Sequence, residues 1–139
     1  MKKQKGTSYY ANRHSCFLLQ YHLVVVTKFR HPVLEDKLKS RLLELTDFLF
    51  SDKWGCNILE VNTDKDHIHV LFEAPPQIQL SALVNNYKTV TSRYLRKEFS
   101  EFLASYYWKP YFWSDSYFIG TVSETSASVV SQYIQSQGG

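Results

Sequence analysis

The chain has 139 residues and a formal net charge of +3, with 44% hydrophobic and 16% aromatic residues. These values exclude a disordered chain and predict one folded domain over residues 1–139 with its own core. No apolar run is long enough to cross a bilayer, and the basic first residues lack the apolar stretch of a secretory signal. Cys16 and Cys56 lack the spacing of a zinc site and suit a reducing compartment, so a cytoplasmic location is expected.

The first elements in chain order are a strand and a helix. The run CFLLQYHLVVV at 16–26 is almost continuously apolar and rich in β-branched residues, which predicts a central buried strand. Leucines then recur at three- and four-residue steps from Leu34 to Leu49. This spacing predicts an amphipathic helix that starts near Pro32 and stops near Gly55.

The rest of the chain is predicted to contain two strands paired through the turn TDKD, a second amphipathic helix, a last strand and a terminal helix. These elements are expected, in that order, at residues 56–62, 67–73, around Leu83 to Tyr94, 117–122 and within 123–137. Gly120 interrupts the last strand and indicates a bulge or a close approach of the backbone.

This order of elements is the split βαβ, or ferredoxin-like, pattern of an α+β fold. It predicts an antiparallel sheet with helices on one face, followed by a C-terminal helix. The opposite sheet face is then left to carry a site or a partner. The fold alone does not indicate the function.

Two histidines stand where ordinary polar residues would serve. His67 and His69 alternate with apolar residues in DHIHVLFE, so both point to one face of the strand and could bind one divalent ion. His22 would approach them if the first and third strands were neighbours, and is otherwise an ordinary core histidine. Tyr133 and Gln137 are four residues apart, so a helix places them on one face, where Gln137 could supply an amide oxygen beside the Tyr133 phenol. The ordinary alternatives are an exposed sheet face for the histidines and packing for the tyrosine.

Four segments together resemble the HUH single-tyrosine transposases of small insertion sequences. They are YHLVVVTKFRHPVL at 21–34, NTDKDHIHVLFE at 62–73, WSDSYFIGTVS at 113–123 and YIQSQ at 133–137. The resemblance implies that His67, His69 and Gln137 bind a divalent metal, Mg²⁺ or Mn²⁺, and that Tyr133 is the nucleophile. Imidazole ligands on their own would equally suit Zn²⁺ or Ni²⁺.

The resemblance also implies a reaction and its partners. The expected enzyme is a homodimer that shares its active sites between subunits and cuts and rejoins single-stranded DNA through a 5′-phosphotyrosine. Its DNA would carry a hairpin near each end of the element. Basic residues form two clusters that suit phosphate binding, and the candidates for those contacts are Lys28, Arg30, Lys88, Arg93 and Arg96.

Three alternatives stay open. An RNA-recognition module would need paired aromatic residues on its central strands, and that motif is missing from the sequence. A zinc hydrolase would keep its activity in a Tyr133→Phe variant. A non-catalytic relative of the same fold would bind hairpin DNA without cutting it.

Overall fold

The structure, a computed structural model, describes residues 9–11 and 16–138, and its elements alternate in the order that the sequence predicts. The strands are β1 (Tyr10–Ala11), β2 (Cys16–Phe17), β3 (Gln20–Val26), β4 (Asn57–Asp64), β5 (His67–Glu73) and β6 (Phe118–Thr121). The α-helices are α1 (Asp36–Asp47), α2 (Leu80–Glu98), α3 (Ser100–Ala104) and α4 (Ala127–Ser136), and a π-helical segment (Phe48–Lys53) extends α1.

The main sheet is four-stranded and antiparallel, with the strand order β4-β5-β3-β6. Strand β3 lies in the middle and pairs with β5 along its whole length, from Gln20 opposite Glu73 to Val26 opposite His67. This order is the ferredoxin-like arrangement and confirms the predicted fold class.

The predicted first strand at 16–26 is too long at its beginning. Cys16 and Phe17 pair with β1 in a separate two-stranded sheet, and β3 starts only at Gln20. Between them, the carbonyl of Leu19 accepts a hydrogen bond of 3.0 Å from the amide of Ala74. The apolar run therefore contributes a strand to each of two sheets, and its composition does not show where one strand ends and the next begins.

The core lies between one sheet face and the helices α1 and α2. Leu23 and Val25 of β3 point to this face with Ile68, Val70 and Phe72 of β5, and all five are fully buried. They pack against the apolar faces of the helices, where the buried residues include Leu38, Leu42, Leu83 and Tyr87. This alternation places the odd-numbered residues of β5, including both histidines, on the opposite face, which we call the open face.

Helix α1 starts at Asp36 rather than near Pro32 as predicted. Val33 and Leu34 are already buried, at 0% and 2% exposed, before the helix begins. The amide of Leu34 donates a hydrogen bond of 2.9 Å to the carbonyl of Lys65 in the β4–β5 turn. This contact ties the segment before the helix to the β4–β5 turn, and Val33 and Leu34 enter the core as non-helical residues.

Helix α4 lies over the open face. Its residues Ala127, Val130 and Ile134 face the histidines across a cavity, and the Tyr133 ring packs on Phe118 of β6 at 5.8 Å between ring centroids. Ser126 caps the helix by accepting a hydrogen bond from the amide of Val129. Across residues 9–11 and 16–138, no helix is both long and apolar enough to span a membrane.

Candidate functional site

His67 and His69 stand side by side on the open face of β5. In the sheet register they lie opposite Val26 and Val24 of β3, which are fully buried. Both histidines line a cavity of about 510 Å³ between the sheet and α4. The structure thus brings the predicted histidine pair to the helix that carries Tyr133 and is capped by Gln137.

His22 belongs to the same site, because β3 and β5 are neighbours. Its Nδ1 lies 2.6 Å from Nε2 of His69, and the two rings are nearly parallel with centroids 4.8 Å apart. Burial lowers the pKa of His69, and the nearby His22 lowers it further. Burial and its neighbour therefore favour the neutral imidazole of His69, which is the form that binds metals.

Asp66 contacts His67 from the β4–β5 turn. Its Oδ1 lies 2.8 Å from His67 Nδ1, and its Oδ2 accepts a hydrogen bond of 2.9 Å from Arg30 Nε. Burial acts to raise the pKa of Asp66, but the hydrogen bonds from His67 and Arg30 outweigh it and hold the pKa below its usual value. Ligand atoms of Asp64, Asp66 and His67 all lie within 4.8 Å of one another, so this corner of the site could hold a metal ion.

Tyr133 on α4 and Gln137, the C-cap residue of α4, lie together, but they face a loop rather than the histidines. The Tyr133 hydroxyl is 2.8 Å from Ser116 Oγ, and Gln137 Oε1 accepts hydrogen bonds from Ser114 and Ser116 at 3.0 and 3.1 Å. Burial raises the pKa of Tyr133, and the hydrogen bond with Ser116 partly offsets it. No hydrogen bond between the described residues joins either side chain to His67 or His69. Their assignment as nucleophile and third ligand stays a prediction.

Four of the five predicted phosphate contacts are engaged within the protein. Lys28 Nζ lies 3.3 Å from Asp115 Oδ2, and Arg30 is bonded to Asp66. Lys88 and Arg96 donate to backbone carbonyls of the loop that follows α3, while Arg93 makes no hydrogen bond or ion pair with residues 9–11 or 16–138. Lys88, Arg93 and Arg96 line one groove of about 540 Å³.

Comparison with known proteins identifies the family. Residues 15–137 match the family model described as transposase IS200 like. The chain belongs to the IS200-like transposases. The ISDra2 transposase TnpA of Deinococcus radiodurans is 29% identical over 137 residues, which cover 99% of this chain and 91% of that protein. The transposase for insertion sequence element IS200 of Salmonella typhimurium is 28% identical over 124 residues, covering 89% and 80%.

Solved structures agree with this assignment. A crystal structure of a candidate transposase from Deinococcus radiodurans superposes with a TM-score of 0.83 at 28% identity, covering 91% of this chain and 96% of that one. A tyrosine transposase associated with REP sequences and bound to a REP hairpin shares the fold, with a TM-score of 0.54 at 9% identity and coverage of 89% and 68%. The resemblance inferred from the sequence is confirmed at the level of the transposase family.

Sequence reasoning about this IS200-like transposase gave too little weight to two site residues. His22 was an ordinary core histidine unless β3 and β5 were neighbours, and the strand order decides that point. From the sequence, Asp66 is first a turn residue and second a candidate metal ligand or partner of one, and both of its oxygens are bonded inside the site. The feature of the sequence that indicates this role is that Asp66 directly precedes His67.

Proposed function

We propose that this transposase cleaves and rejoins single-stranded DNA at the ends of its insertion sequence through a covalent 5′-phosphotyrosine at Tyr133. The observation that supports this best is the cavity in which His67 and His69 face α4, the helix that carries Tyr133. Family membership supplies the substrate class, which is the DNA of an insertion sequence.

The reaction exchanges one phosphodiester for another. The Tyr133 phenol loses its proton and its oxygen attacks the scissile phosphorus, while the bond to the 3′ oxygen breaks and that oxygen takes up a proton. The products are a 5′-phosphotyrosine and a free 3′-hydroxyl. Because the new ester is similar in energy to the old one, rejoining to another 3′-hydroxyl needs no nucleotide cofactor.

The open-face residues fit a divalent ion. Asp66 is ionised and can only accept a hydrogen bond, so Nδ1 of His67 carries the proton and Nε2 keeps a lone pair for a metal. Burial favours the neutral form of His69, as a second ligand requires. We assign His67, His69 and Gln137 as the ligands of Mg²⁺ or Mn²⁺, which when bound would polarise the scissile phosphate.

Tyr133 and Gln137 must move to join the histidines. Serines 114 and 116 hold both side chains in the present arrangement. No residue of α4 is buried, and the connection from β6 passes through exposed residues at 121–123. Such a helix is weakly attached to its own sheet, which supports a homodimer in which α4 of one subunit completes the site of the other.

The DNA would be held by its phosphates along the basic groove. Lys88, Arg93 and Arg96 line this groove together with the aromatic rings of Tyr111 and Trp113. A transposase of the same fold binds a hairpin, which supports a hairpin as the ligand here. Each lost phosphate contact should reduce the salt slope of binding by about 1.

The test uses single-stranded oligonucleotides from the ends of the element, incubated with protein and Mg²⁺ or Mn²⁺. A covalent protein–DNA adduct should be visible on a denaturing gel and should disappear in Tyr133→Phe and in His67→Ala. Tyr94→Phe is the matched control, since Tyr94 is an exposed tyrosine on α2. An adduct that survives Tyr133→Phe would refute the assignment of the nucleophile.

Mixing variants tests the shared site. If α4 acts in the partner's site, a mixture of Tyr133→Phe and His67→Ala chains should regain adduct formation, because each mixed dimer then holds one intact site. If each chain is self-contained, the mixture stays inactive. A protein that binds the hairpin but never forms an adduct would instead be the non-catalytic relative.

A further inference from the structure

A chain of hydrogen bonds joins a strained loop to the histidine strand. Arg30 Nε donates to Asp66 Oδ2 at 2.9 Å, and Asp66 Oδ1 accepts from His67 Nδ1 at 2.8 Å. The Asp66 and His67 side chains are only 16% and 20% exposed, so water competes weakly for these bonds. One carboxylate oxygen of Asp66 is therefore bonded to Arg30, and the other is bonded to His67.

The backbone fixes the same geometry. The amide of Thr27 donates to the carbonyl of Asp66 at 2.9 Å, and Thr27 is fully buried. Phe29 and Arg30, which follow it, have φ angles of 58° and 55°, a left-handed conformation that is unfavourable for bulky side chains. Such a conformation persists only where the surroundings impose it, and here it directs Arg30 towards Asp66.

We propose that Asp66 is a positioning residue that holds His67 in the tautomer with Nε2 free, and that Arg30 in turn fixes Asp66. Arg30 then belongs to the histidine site rather than to the DNA-binding surface. This inference rests on the proposed function only in that His67 binds a metal; the tautomer itself is a property of the metal-free protein.

Direct ligation by the carboxylates is the competing explanation, because Asp64, Asp66 and His67 form a possible metal cluster. The geometry favours positioning. Asp66 Oδ1 meets His67 at Nδ1, so the ring nitrogen left for a metal, Nε2, points away from Asp66, and Asp66 Oδ2 is bonded to Arg30. Asp64 is exposed, and its Oδ1 accepts the backbone amide of Lys65.

The first experiment is nitrogen-15 NMR of the histidine rings in the metal-free, full-length protein at about pH 8.5, where a free imidazole is neutral. In the wild type, His67 should carry its proton on Nδ1. In Asp66→Ala the Nε2–H form should gain population, and Asp66→Asn serves the same purpose if the alanine variant folds poorly. An unchanged tautomer in both variants would overturn the proposal.

The second experiment measures Mn²⁺ affinity without DNA. Loss of a residue that orients a metal-binding histidine typically weakens the metal about 10–100-fold, which is the loss expected for Asp66→Ala. Arg30→Gln should weaken it by less, since Asp66 can still reach His67. Asp64→Asn is the matched control and should bind Mn²⁺ like the wild type. Equal losses in the Asp64 and Asp66 variants would show direct ligation and overturn the proposal.

The third experiment separates Arg30 from the phosphate-binding residues. The salt slope of hairpin binding should be unchanged in Arg30→Gln and reduced by about 1 in Arg93→Gln. A reduced slope together with normal Mn²⁺ affinity in Arg30→Gln would return Arg30 to the DNA surface and refute its positioning role. Absence of any covalent adduct would refute the proposed function while leaving the tautomer result intact.

Discussion

Gly120→Ala tests how closely the last strand approaches the segment that leads into the tyrosine helix. An added Cβ at this position would lie 2.5 Å from Thr125 Oγ1 and 3.1 Å from Cζ of Phe118. Thr125 cannot easily turn away, because its hydroxyl donates a hydrogen bond of 2.6 Å to the carbonyl of Thr121. The methyl group must therefore displace the connection between β6 and α4.

The expected cost follows from two opposing terms. Overpacking of this kind costs about 1–3 kcal/mol. Replacing glycine by alanine recovers about 0.4–1 kcal/mol, because the unfolded chain loses conformational freedom. With the middle of each range, about 2 kcal/mol of cost less about 0.7 kcal/mol recovered, the net loss in the free energy of unfolding should be about 1.3 kcal/mol, or roughly 4–6 °C in melting temperature for a domain of this length.

Thermal and urea unfolding, followed by circular dichroism, measure this loss and its origin. Thr125→Ala removes the clashing oxygen, so the double variant should recover about 1 kcal/mol or more relative to the sum of the single losses. Gly55→Ala is the matched control: Gly55 has a φ of +68° and nothing within 4 Å of the added Cβ, so its cost should not depend on Thr125. A Gly120→Ala protein as stable as the wild type, or no coupling to Thr125, would show that the close contact with Thr125 does not limit the size of residue 120.

Three further predictions concern two buried groups and one half-buried group outside the histidine cavity. Glu73 is fully buried and accepts hydrogen bonds from three side chains. Glu73→Ala should therefore lower the free energy of unfolding, measured with urea, by about 2–4 kcal/mol. A loss below about 1 kcal/mol would contradict this. Burial raises the pKa of the Cys56 thiol to about 12, so little reactive thiolate forms in the folded protein. In a Cys16→Ser background, iodoacetamide at about pH 8 should therefore label the folded protein far more slowly than the urea-unfolded protein. Equal labelling rates would contradict the raised pKa. Lys88 donates a hydrogen bond of 2.8 Å to the carbonyl of Ser114. Lys88→Met should therefore lower the free energy of unfolding by about 1–3 kcal/mol, measured by thermal melting. An unchanged melting temperature would show that this contact contributes little to stability.

Much of the fold could be predicted because its signals are local. Alternation in 67–73 assigns Ile68 and Val70 to the core and both histidines to the other face, and the structure confirms it. Gly120 was predicted to mark a bulge or a close approach, and the close approach of Thr125 confirms the second.

The errors come from long-range contacts. The start of α1 moves to Asp36 because the β4–β5 turn binds the preceding segment. Helical spacing places Tyr94 on the same stripe of α2 as the buried Leu83 and Tyr87, yet it is 42% exposed and packs on the guanidinium of Arg41 from α1. Helical spacing predicts which residues share a stripe, but the packing of neighbouring helices decides where that stripe ends.

The sequence predicted which residues belong to the candidate site better than it predicted how those residues are oriented. Helical spacing places Tyr133 and Gln137 on one face, and both accordingly contact Ser116. Which way that face points depends on how α4 sits on the sheet, and local spacing carries no information on this. The position of α4 relative to His67 therefore has to be tested by experiment.

If Tyr133 is the nucleophile, it becomes covalently attached to DNA during the reaction. The most direct measurement is to trim the adduct with nuclease, digest the protein and locate the remaining nucleotide by tandem mass spectrometry. We expect a 5′-linked nucleotide on Tyr133, formed only with a divalent metal present. A nucleotide on any other tyrosine or serine, or on Tyr133 in a His67→Ala protein, would contradict it.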